Sequence, residues 1–139
     1  MGKGILTATL IALCLALTAC DNSPTPVQEE IVNSLLQEQI DIPYVEQDWN
    51  RIKDQVEKRG ETVEQLAARS KKTYSDIHDY LLELTTKPYA EKKAWAIRMI
   101  ELELEGLEGG IAFLEKHDKD ASEITGRQKK LKSMLEVLR

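Results

Sequence analysis

Cysteine is almost absent from this chain of 139 residues: Cys14 and Cys20 are the only two. Everything after residue 20 therefore lacks a disulfide, a thiol nucleophile and a cysteine-based zinc site, and has to hold together by packing alone. Aromatic residues are scarce, with one Phe, two Trp and four Tyr. Proline is nearly missing after Pro43, where Pro88 stands alone. No stretch shows the period-two alternation of a half-buried strand. An excess of positive charge is lacking as well: 19 Lys and Arg face 24 Asp and Glu, for a net −5. Such a chain does not offer the basic face that nucleic acid selects, nor a polybasic grip on anionic lipid. Nor does any apolar run reach the roughly 20 residues that span a bilayer.

What is present begins at the N-terminus. Residues 5–17, "ILTATLIALCLAL", are apolar apart from two threonines and follow a single charge at Lys3. This reads as the short apolar region of a secretory signal. It ends in "LTAC", residues 17–20, with small Ala19 before Cys20, and the polar stretch "DNSPTP" follows. These residues resemble the lipobox of bacterial lipoproteins. The resemblance covers the leader only and names no family for the rest. It implies a signal peptide over residues 1–19, cleavage before Cys20, and acylation of Cys20 by a diacylglycerol and usually a further, palmitate-like chain. At about 0.8 kcal/mol per buried methylene, two or three chains anchor permanently where one would exchange. Asp21, with Asn22 beside it, resembles the enterobacterial signal for inner-membrane retention. The implied address is the periplasmic face of the inner membrane, with the outer membrane as the alternative. Loss of Lys3 with the leader takes the net charge to −6. Residues 20–26 form an extended tether of about 20 Å reach, and residues 27–139 a single helical domain.

Glu, Lys and Leu dominate that domain, and they are good helix formers. Thr25-Pro26-Val27-Gln28 gives an N-cap, a proline at the first helical position and a capping-box glutamine. The helix behind it has Val27, Ile31, Leu35 and Ile40 near one face, and Pro43 ends it. A heptad series then runs through Val45, Trp49, Ile52, Val56, Arg59, Val63, Leu66, Ser70, Thr73, Ile77, Tyr80 and Leu84. Gly60 interrupts its composition but not its phase. Two readings follow: one helix of about 40 residues loosened at a glycine that costs roughly 1 kcal/mol, or a stop at Gly60 and a restart in the capping box Thr62-Val63-Glu64-Gln65. Unbroken phase favours the single helix. "TTKP", residues 85–88, separates this segment from a third one.

That third segment has the cleanest seam: Ile97, Ile100, Leu104, Leu107, Ile111 and Leu114. Glu101, Glu108 and Glu115 flank it at matching heptad positions, as pairing charges do in coiled coils. A second stripe of Trp95, Met99, Leu102, Gly106, Gly109 and Phe113 makes the helix apolar on two sides, as in helices buried on two sides. This places it at the centre of the bundle, with glycines open to a close neighbour. Asp120 with Glu123 caps the last helix, which carries Ile124, Gln128, Leu131, Leu135 and Leu138 on one face. Its Arg127, Lys129, Lys130 and Lys132 suit the neighbouring glutamates. The expected fold is all-α, an antiparallel helical bundle of two long heptad-patterned helices plus shorter flanking ones.

Chemistry is hard to find. Asp76, His78 and Asp79 are close in sequence but diverge around a helix. His117 suits a helix C-terminus. No metal-binding helix motif, nucleophile elbow or phosphate loop is present. Glu101, Glu103, Glu105 and Glu108 read as a solvated or pairing face rather than paired catalytic carboxylates. Neither a cofactor nor an enzymatic activity is expected. Tyr89, Trp95, Met99, Leu102 and Phe113 form a possible partner surface, although core packing competes for Tyr89 and Trp95. The expectation is a membrane-anchored periplasmic interaction module, an adaptor or accessory subunit with a protein partner, and self-association through heptad seams is open to it. The alternative is an immunity or exclusion lipoprotein directed against a toxin, phage or plasmid. A pilotin-like secretion chaperone is a weaker third, since Asp21 argues against outer-membrane delivery.

Overall fold

The computed structural model describes residues 23–139; Cys20, Asp21 and Asn22 lie outside the described residues, with the apolar run before them. The Thr25 hydroxyl accepts from the Gln28 amide at 3.2 Å, and the Gln28 side chain accepts from the Thr25 amide at 3.0 Å. This reciprocal cap satisfies two otherwise orphaned amides and starts α1, Pro26–Ile40. A 3₁₀ turn, Trp49–Ile52, leads into the short α2, Lys53–Lys58. Two long helices follow, α3 over Val63–Leu84 and α4 over Tyr89–Lys116, and α5 covers Ser122–Leu138. The fold is all-α, with no strand among the described residues.

The single long helix expected across Gly60 is not there. Gly60 has φ +79°, a left-handed conformation that only glycine adopts cheaply. Its amide bonds to the Glu57 carbonyl and that of Glu61 to the Val56 carbonyl, which closes α2 in a Schellman cap. Thr62 then opens α3 with its own capping box, in which Gln65 answers at 2.9 and 3.1 Å. Local capping overrides the heptad phase. The first part of the series also fails as helix, since residues 41–48 carry no regular helix or strand and Val45 is exposed.

The main core joins Val32 and Leu35 of α1, Ala96 and Ile100 of α4, and Leu131 and Leu138 of α5. Fully burying each large side chain contributes about 1.5–3 kcal/mol. Helices α4 and α5 run antiparallel: Glu103 meets Arg127, and the earlier Glu101 meets the later Arg139. The Gln28 side chain donates to the Val137 carbonyl at 2.9 Å, so α1 begins where α5 ends. A second cluster ties Leu36 of α1 to Leu81 and Leu84 of α3.

The central helix is therefore α1, not α4. It touches α3, α4 and α5, so its buried positions are Val32, Leu35 and Leu36 while Val27 is exposed. Past Trp95, helix α4 is buried on one side only. At 28 residues it is about 42 Å long, against about 22 Å for α1. Its distal half consequently leans on α5 alone. Helix α5 starts at Ser122, with Ala121 rather than Asp120 in the N-cap position. Asp120 still accepts from the Ser122 amide at 2.9 Å, which holds its carboxyl below the usual range.

Candidate functional site

Five side chains were expected on one partner surface, and the fold divides them. Tyr89 packs against the main core, and Trp95 packs against both clusters. Neither is a free anchor. Burial pushes the Tyr89 phenol above its ordinary value, with Glu29 adding to the effect. Its hydroxyl is buried and has no hydrogen-bond partner among the described residues.

Met99 and Leu102 line an open notch of about 320 Å³ beside the last turns of α1, together with Leu35, Gln39, Trp95, Ile100 and Glu103. Its walls are mostly apolar. Leu102 is 42% exposed. Phe113, three turns further along the same stripe, is 57% exposed and tilts against the His117 ring at 4.5 Å. Between them, a Cβ built at Gly106 or Gly109 would meet nothing within 4 Å. The close neighbour these glycines invite is not supplied by any described part of the chain.

The notch has a charged rim. Arg127 donates two hydrogen bonds to Glu103, at 2.8 and 3.1 Å. Hydrogen bonding to Glu103 raises the Arg127 guanidinium further above its usual range, and Glu38 at the end of α1 contributes. Two of the glutamates on α4, Glu101 and Glu103, thus meet arginines of α5. What this arrangement offers is an apolar strip bordered by the Glu103–Arg127 ion pair. His78 stacks on Tyr74 and is remote from His117, which sits on Phe113. Among the described residues, no three His, Cys, Asp or Glu gather as metal ligands.

Further exposed apolar residues were missed in the sequence: Ile42, Val45, Ile77 and Tyr80, of which Ile42 and Ile77 line one shallow pocket. The available signal was the pair Ser70 and Thr73, two polar residues at consecutive seam positions. They mark where the heptad series stops describing a core. Among the described residues, no helix is long and apolar enough to cross a membrane. Compared with known proteins, the chain matches no family model, no curated protein and no solved structure.

Proposed function

We propose that this protein is a lipid-anchored, non-enzymatic helical interaction module on the periplasmic face of the inner membrane. The observation that carries the reading is "LTAC" at residues 17–20, followed within five residues by a capped helix at Thr25. An anchor at Cys20 with so short a tether holds the domain within about 20 Å of the bilayer. The α4 stripe of Met99, Leu102 and Phe113, with Gly106 and Gly109 between, supports docking of a partner side chain, since apolar anchors in shallow pockets dominate binding energy. The partner is a protein of the envelope, and the anchor sets where the two meet.

The test expresses the full chain with a tag after Arg139 and labelled palmitate in the medium. The parent is expected to incorporate label, fractionate with the inner membrane and cross-link to one near-stoichiometric protein. Cys20→Ala should lose label and membrane association. Leu102→Glu combined with Phe113→Glu should keep both and lose the cross-linked protein. An unlabelled parent sinks the anchor, and unchanged cross-linking by the double variant sinks the α4 surface.

A further inference from the structure

Helix α3 carries a heptad seam whose middle is bordered but not covered by the rest of the described chain: Trp49 flanks Thr73 and Ile77, Ile42 flanks Ile77, and Glu91 and Trp95 of α4 flank Tyr80. The arm of residues 49–58 covers one end of it, where Trp49 and Val56 border Leu66. At the other end Leu84 packs under Leu36. On one flank α1 and its extension close in, with the Tyr74 hydroxyl donating to the Ile42 carbonyl at 2.7 Å. What remains open is Thr73, Ile77 and Tyr80, the last two being 54% and 53% exposed. In α4 the corresponding seam is used up inside the molecule; in α3 it is not.

The charges beside this strip are self-complementary. Arg69, Asp76 and Glu83 recur at seven-residue spacing along the free flank of α3 and so share one side of the helix. Arg69 lies seven residues before Asp76, and Glu83 seven after. A second copy lying antiparallel, with its two-fold axis beside Asp76, brings each Arg69 opposite the other copy's Glu83. At both ends the contact exchanges in-chain pairs, Arg69 with Glu61 and Glu83 with Lys87, for an opposite-charge pair between copies, repeated by the two-fold axis of an isologous interface. Asp76 faces its own counterpart near the axis, and its ion pair with Lys72 offsets that charge. A parallel pair lacks this match, since it sets Arg69 beside Arg69.

We infer that α3 mediates antiparallel self-association of this protein, with Ile77 and Tyr80 at the centre and Arg69–Glu83 pairs at both ends. The inference does not depend on the lipid anchor or on the α4 surface. It is tested on the full-length protein in mild detergent by native mass spectrometry across a concentration series. The parent is expected to give dimers. Arg69→Glu and Glu83→Arg, made singly, should each weaken the dimer about tenfold or more, because like charges then meet twice across the axis.

The double variant should recover most of the parent's affinity. Inside one chain that variant still lacks the partners Arg69 has in Glu61 and Glu83 has in Lys87. Recovery can therefore come only from contact between copies. Ile77→Glu should abolish the dimer and, because Ile77 is half exposed, leave the melting temperature measured at monomer-favouring dilution unchanged. A monomeric parent at tens of micromolar, or a double variant no better than the singles, overturns the proposal. The first of these results would leave the strip to a different protein.

Discussion

Two single residues hold unfavourable states that a substitution can relieve. Asp118 has φ +53° just after α4. There the Asp118 and Lys119 amides bond back to the Glu115 and Leu114 carbonyls, closing a Schellman cap with a non-glycine residue in the left-handed position. Asp118→Gly should stabilise the domain by about 0.5–1 kcal/mol, since glycine occupies this conformation without the Cβ clash. Urea unfolding would measure it, and a destabilised variant would show that the carboxylate matters more than the strain. Tyr89 is the second. Removing its buried, unpartnered hydroxyl in Tyr89→Phe should stabilise by about 1 kcal/mol. Its phenol is raised by burial, so the unfolded chain ionises first, near pH 10. Tyr89 therefore stops supporting the fold as pH rises above that value. The advantage of Tyr89→Phe should widen between pH 7 and pH 10.5; an equal advantage at both would mean that the phenol reaches solvent.

At the scale of elements, two caps decide where helices begin, and one seam decides what they bury. The Thr62 hydroxyl holds the Gln65 amide at the start of α3. Thr62→Ala should cost about 1 kcal/mol. In α4 the two stripes separate cleanly by energy. Ile100, 1% exposed, should cost about 2–5 kcal/mol on truncation to alanine, because a cavity forms between three helices. Leu102 on the opposite stripe should cost little. Comparable melting temperatures for Ile100→Ala and Leu102→Ala would contradict this arrangement of α1, α4 and α5. The expectation of two long helices was legible in the heptad pattern. The centre of the bundle was not, because an apolar stripe records what a helix could cover and not whether a neighbour is long enough to cover it.

For the whole molecule, stability is distributed unevenly. The core residues of α1, α4 and α5 are tied across the chain, whereas α2 buries only Val56. Residues 42–62 are held by turns, surface ion pairs and the edge of α3. Surface pairs of this kind contribute about 0–1 kcal/mol each. Amide exchange in residues 42–62 should accordingly occur through local opening, at a lower free energy than in the middle of α5. Exchange mass spectrometry would check it, and uniform protection would mean that another body covers the arm. Either exposed surface could be covered in that way, the α4 stripe by a partner and the α3 strip by a second copy.

The sequence by itself determined the helical class, both capping boxes, the short apolar run ahead of Cys20, and the absence of any thiol beyond it. These depend on residues near one another in the chain, where propensity, capping and spacing act directly. Tertiary structure alone decided that α1 lies at the centre, and which faces of α3 and α4 stay uncovered. In each case the outcome rests on comparing lengths and neighbours across the fold: α1 ends before α4 does, and the arm ends before α3 does. A seam whose neighbour stops short becomes surface, whatever its period.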